Sequence, residues 1–122
     1  MAIKQSIKTM NHILLIGPPS SGKQALVDAL IPIDRRLEIS HSTKNKHLKS
    51  RLAIEDETVE YLVISEATIL DEDVRHTLRA YILSGHEITM CFLCQGFPCW
   101  LEDLLYSYII PLRLEGLTKP FH

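Results

Sequence analysis

His12-Ile13-Leu14-Leu15-Ile16-Gly17-Pro18-Pro19-Ser20-Ser21-Gly22-Lys23-Gln24 is the stretch whose reading decides the fold. His12 to Ile16 is a short apolar run that ends at a glycine, as a parallel strand buried on both faces would. Gly22 to Leu30 then reads as a helix stopped by Pro32. Between strand and helix, Gly17 to Lys23 fits the spacing G-x-x-x-x-G-K, in the context that a phosphate-binding loop requires. The glycines let backbone N–H groups approach phosphate oxygens, the helix start adds its positive dipole end, and Lys23 supplies a point charge. A tight turn between strand and helix is the plain alternative, but it needs neither the lysine nor both glycines.

The candidate cradle is Gly17, Pro18, Pro19, Ser20, Ser21, Gly22, Lys23 and Gln24. The eighth position ordinarily carries Ser or Thr, whose hydroxyl ligates the magnesium ion that accompanies the nucleotide. Here it is Gln24, whose longer arm would have to fold back, so metal affinity is the first property in question.

Outward from this loop, further elements alternate. A short strand over Leu37 to Ser40 precedes the basic run Lys44, Lys46, Lys49 and Arg51. Val59 to Ser65 reads as a strand, and Asp71 to Leu83 as a helix with Val74, Leu78, Tyr81 and Ile82 at helical spacing. Ile88 to Cys94 reads as a strand, Leu101 to Tyr108 as a helix and Ile109 to Leu114 as a last strand. Strands alternating with helices predict an α/β, three-layer P-loop NTPase-like fold with a mainly parallel five-stranded sheet. The absence of repeats and linkers predicts one domain over residues 1–122.

Composition narrows the function classes. The chain has 122 residues, 46% of them hydrophobic, and a formal net charge of −2, which argues against a surface built wholly as a trap for nucleic acid. Its apolar runs are too short to cross a bilayer and no leader pattern opens it, so the expected location is cytoplasmic or nuclear. The three cysteines, Cys91, Cys94 and Cys99, suit a reducing compartment.

Other candidates weigh less. The segment His41 to Arg51 offers nucleic acid a contact through Lys44, Lys46, Lys49 and Arg51, but it has no aromatic residue for base stacking and reads as a solvated surface loop. Cys91 and Cys94, three apart on a strand, point to opposite faces and read as core rather than as a redox or metal pair. Adding Cys99 and His86 makes a zinc site only if the segment folds back on itself, so no metal site is expected. Phe97 and Trp100 are equally compatible with a subunit contact and with packing under the last helix.

Val63-Ile64-Ser65-Glu66-Ala67 stands where phosphate-loop enzymes that hydrolyse ATP place their acidic pair, at the end of a second core strand. With Gly17-Pro18-Pro19 and Gly22-Lys23, it makes the chain resemble the AAA+ family, within it the clamp-loader and replication-helicase ATPase domains. Ser65-Glu66-Ala67 is similar to their Asp-Glu-Ala box. Thr77-Leu78-Arg79 resembles the helix after that box, Cys91 to Gln95 the strand ending in the polar sensor, and Leu104 to Tyr108 the segment before the last core strand. The similarity runs from about Ile13 to Leu114.

The departures fall where the chemistry would be. Gln24 replaces the hydroxyl, Ser65 the magnesium-shell Asp, Gln95 the sensor Asn and Tyr108 the Arg of a finger, leaving Lys23 and Glu66. The resemblance therefore implies a degenerate core that binds ATP or ADP, with or without Mg2+, and is at most a weak ATPase, with Glu66 its water-orienting candidate. Only eight residues follow Leu114, so the helical lid is expected to be missing. The resemblance implies a protein partner or a homo-oligomer, in a DNA replication or mobile-element assembly. A small nucleotide kinase is the alternative, though the arginine-rich lid it needs is not evident. The other is a non-catalytic interaction protein with a relic loop.

Overall fold

The computed structural model describes residues 12–19, 21–53 and 59–114. Five strands, β1 (His12–Ile16), β2 (Arg36–Ile39), β3 (Tyr61–Ile64), β4 (Thr89–Cys94) and β5 (Ile109–Arg113), form one sheet in the order β2-β3-β4-β1-β5. Every neighbouring pair is parallel, with Leu14 opposite Phe92 and Pro111, and Val63 opposite Cys91 and Glu38. This is the α/β sheet that the alternation of elements predicts.

Parallel neighbours need crossover connections, and right-handed crossovers fix which face each helix covers. The chain leaves β1 toward the β2 edge, so α1 (Lys23–Leu30) lies on one face. It returns through α2 (Asn45–Ala53) and α3 (Glu72–Leu83), then over β1 through a 3₁₀ segment at Cys99–Leu104, all on the opposite face. The two cores follow this division. Leu15, Val63, Cys91 and Leu93 pack with Val27 and Ile31 of α1. Leu14, Leu62, Ile64, Phe92 and Cys94 pack with Leu48, Val74, Leu78, Ile82, Leu101 and Leu104. Cys91 and Cys94 thus fall on opposite faces, as strand alternation requires, and all three cysteines are free.

Two elements differ from the sequence reading. The basic run is not a solvated loop throughout, because Asn45–Ala53 is helical. Leu48, only 1% exposed, and half-buried Leu52 sit four residues apart and give that segment a narrow apolar stripe, which tertiary packing exploits despite the polar surroundings. Asn45 Oδ1 accepts a 2.6 Å bond from Thr77 Oγ1, fastening α2 to α3. The segment expected to be helical to Tyr108 is instead a 3₁₀ turn that ends at Leu104. Tyr106 takes a left-handed φ of 68°, and its N–H donates to Ile109 O at 2.7 Å, so the chain turns directly into β5.

At the β5 edge of the described sheet, Leu114 N–H donates inward to Ile16 O at 2.7 Å. Counting back in steps of two, the other inward donors are Leu112 and Ile110, which leaves Pro111 at an outward position where its missing N–H costs the ladder nothing. Among the described residues, no helix is long and apolar enough to cross a membrane.

Candidate functional site

β1 hands the chain to one face of the sheet and β3 and β4 hand it to the other, so their carboxyl ends part and leave a crevice. The crevice has a volume of about 420 Å³. Pro19, Lys23 and Gln24 form one wall, Ser65, Glu66, Thr68 and Ile69 the other, and Leu93, Cys94 and Gln95 the floor. The loop after β1 and the acidic segment after β3, separated by some forty residues of sequence, therefore meet across one cleft.

The loop is shaped by its two described glycines. Gly17 N–H donates to Cys94 O at 3.1 Å, bringing the backbone so close to β5 that a Cβ would lie 2.6 Å from Leu114 O and 2.7 Å from Ser21 Oγ. Only glycine fits there. Gly22 caps α1 with φ 89° and ψ 16°, a left-handed conformation that glycine adopts at little cost. The first N–H groups of α1 have no acceptor within the helix and face the loop with the positive end of its dipole. Ser20, part of the expected cradle, lies outside the described residues.

Lys23 folds over the loop. Its Nζ donates to Gly17 O, to Pro18 O at 2.8 Å and to Ser21 Oγ at 3.4 Å. Partial burial pushes its ammonium below the ordinary lysine value, an effect that the neighbouring Cys94 opposes. Burial in turn raises the Cys94 thiol to about 11, against the pull of Lys23.

Across the cleft, Glu66 has a left-handed backbone, φ 53° and ψ 48°, which is uncommon for a residue with a side chain. Its loop is clamped from outside. Trp100 Nε1 donates to Ala67 O at 2.8 Å, and Arg75 donates to Leu70 O at 2.8 Å and to Thr68 O at 3.3 Å. Trp100 also meets Phe92 edge to face, at 5.9 Å between centroids, so it packs in the core while Phe97 stays 41% exposed. The Glu66 carboxylate is bound by a residue that the sequence placed only in the basic run: His41 Nδ1 lies 2.7 Å from Glu66 Oε1. No spacing signal links them, because β2 and β3 must pair before the two residues meet.

These groups fit a nucleotide phosphate better than a divalent cation. Lys23, at the start of α1, lines the cleft, a cation at a helix start being the kind of group that meets a phosphate. Magnesium instead asks for an octahedral set of oxygens, usually with carboxylates. Gln24 directs its amide N–H to Asp28 Oδ1, 3.1 Å away and one helical turn on, Ser65 carries no charge, and Glu66 is bonded to His41. The donor set does not fit a metal, and among the described residues no group of three or more His, Cys, Asp or Glu could hold one.

Gln95 sits on the floor and Tyr108 lies beside the core, away from the cleft lining. Lys44, Lys46, Lys49 and Arg51 are exposed at and along α2. A second cavity of about 160 Å³ lies between α1 and the sheet, among Ile13, Leu26, Leu30, Cys91 and Leu112. Among the described residues its lining offers no charged group, so it is packing space rather than a site for this chemistry.

The architecture is shared with solved proteins. RuvB from Thermotoga maritima superposes with a TM-score of 0.61 at 23% identity, over 93% of this chain and 40% of that one. This chain has a three-layer α/β P-loop NTPase-like fold. A DNA polymerase III gamma subunit-related protein from Thermotoga maritima shares this fold, with a TM-score of 0.56 and 13% identity over 98% of this chain and 46% of its own. The chain thus spans less than half the length of either protein. No protein-family model and no curated protein matches the sequence.

Proposed function

We propose that this chain binds ATP or ADP at the loop Gly17 to Gln24, hydrolyses it weakly or not at all, and serves as a partner in a DNA replication or mobile-element assembly. The observation that carries this reading is Lys23 at the start of α1, over a loop pressed against β5 and facing Glu66 across an open cleft. Lys23 holds phosphate, and among the described residues Glu66 is the one acidic group on the cleft wall able to orient a water. The substitutions at positions 24, 65, 95 and 108 support a degenerate AAA+ site, since each removes a group that serves metal or transition-state charge. The likeness to a DNA polymerase III gamma subunit-related protein supports the replication context. A protein partner or further copies of the chain complete the assembly, and the exposed Lys44, Lys46, Lys49 and Arg51 are its candidate contact with nucleic acid.

The kinase reading is weaker because no arginine lines the cleft among the described residues. Arg35 pairs with Glu60 and Arg36 with Asp28, both at the amino ends of the strands, while Arg79 holds Asp103 at 2.8 Å.

Calorimetric titration with ATP, with and without magnesium, tests the reading. Magnesium-independent binding is expected. Lys23→Ala should weaken it by about 10- to 100-fold, the worth of a charge-assisted contact. Phosphate transfer to an acceptor would favour the kinase, and no binding at millimolar nucleotide would leave only a relic loop. Unchanged affinity in a folded Lys23→Ala protein would refute the loop assignment.

A further inference from the structure

Glu66 is the only carboxylate on the cleft lining among the described residues, and an arriving phosphate would face it across the cleft from Lys23. A bound divalent cation ordinarily offsets such a carboxylate, but the residues here do not fit one: Gln24 is turned to Asp28, and Ser65 is uncharged. Something else must lower the repulsion between two anions sharing a cleft of about 420 Å³.

The structure places His41 in that position. Its Nδ1 is 2.7 Å from Glu66 Oε1. A carboxylate only accepts, so Nδ1 is the donor and the imidazole withdraws charge from the carboxylate. The contact is prepared from both sides. Thr43 N–H donates to Ser40 O and Ser40 N–H to Thr43 Oγ1, each at 3.0 Å, which folds the His41 turn. Ser65 N–H donates to Ile39 O at 2.9 Å, tying the end of β3 to the end of β2. The left-handed backbone of Glu66, held by Ile69 N–H to Glu66 O at 3.1 Å, fixes the direction from which its side chain departs.

We propose that His41 is a positioning and charge-compensating residue: it occupies the Glu66 carboxylate in place of a divalent cation and so lets the cleft accept nucleotide phosphate without metal. The inference rests on the nucleotide reading above and goes beyond it, because it assigns metal independence to one side chain. It makes the site's response to magnesium a property of residue 41.

The experiment is calorimetric titration of ATP in EDTA and in excess magnesium, for wild type, His41→Ala, Glu66→Gln and the double variant. Wild type is expected to bind equally in both buffers. His41→Ala should bind about two- to fivefold more weakly in EDTA, the scale of an exposed hydrogen bond. Excess magnesium should restore that affinity, because the freed carboxylate becomes a ligand, and Glu66→Gln should restore it in EDTA by removing the charge. Both side chains are about half exposed, so circular dichroism and melting should report an unchanged fold. His41→Ala binding in EDTA as tightly as wild type would overturn the inference. So would a loss that Glu66→Gln does not rescue, since a structural role for His41 would not depend on the charge at residue 66. If wild type binds no ATP in either buffer, the nucleotide reading itself fails, and the roles of Lys23 and His41 fail with it.

Discussion

Replacing Gly17 with alanine probes the close approach of the loop to the sheet. The new Cβ would stand 2.6 Å from Leu114 O and 2.7 Å from Ser21 Oγ, where ordinary contact begins at 3.4 Å. Ser21 Oγ can rotate away, although it also receives Lys23. Leu114 O cannot, because the same residue's N–H makes a 2.7 Å bond to Ile16 O at the end of the β1–β5 ladder. Relief therefore requires β5 to move against β1 or the loop to lift off the sheet. Overpacking of this kind costs about 1–3 kcal/mol. At this chain length that lowers Tm by roughly 3–15 °C. Urea titration of Gly17→Ala beside Gly96→Ala measures it, because nothing lies within 4 Å of a Cβ at Gly96. Gly96→Ala should stay within about 0.5 kcal/mol of wild type. Equal midpoints for the two variants would refute the close approach and the loop conformation built on it.

The thiols give a second test: burial raises Cys91 and Cys94 to about 11, while Cys99 is exposed, so iodoacetamide on the folded protein should modify Cys99 first and the other two only in denaturant. Rapid native modification of Cys91 or Cys94, read by peptide mass spectrometry, would contradict this packing. A third concerns His12, whose Nδ1 accepts the Met90 N–H at 2.9 Å and whose burial pushes its imidazole below the ordinary value of 6.5. The unfolded chain then binds the proton more readily, so this residue's stabilisation is complete above 6.5 and is lost as pH falls below it. Urea midpoints from about pH 8 to about pH 5 should show His12→Leu less stable than wild type at the upper end and the gap narrowing below; a gap independent of pH would refute the buried neutral histidine. For Glu66, a Gln substitution should abolish whatever slow hydrolysis wild type shows without weakening ATP binding, and equal loss of both would exclude its role in orienting water.

Much of the fold was legible because β1, β3 and β4 are buried on both faces and read as uninterrupted apolar runs, each ending at a polar or glycine residue. The Asp71 to Leu83 expectation closely matches α3, whose apolar positions recur at helical spacing. Helix α2 was not legible: two leucines among basic residues make a stripe too narrow to outweigh the polar composition until α3 packs on it. The 3₁₀ turn before β5 was missed because nothing in Tyr106 announces a left-handed backbone. For the site, one wall was readable as a contiguous motif. The pairing of His41 with Glu66 was not, since it depends on strand register rather than on distance along the chain.

Pro111 carries a consequence for how copies or partners can gather. An edge strand that offers a full row of amides invites another strand to dock and extend the sheet, a route to fibres as well as to assemblies. The proline interrupts that row in the middle of β5. Growth by backbone annealing along this border is thereby discouraged, and whatever joins the domain on this flank must be recognised by its side chains.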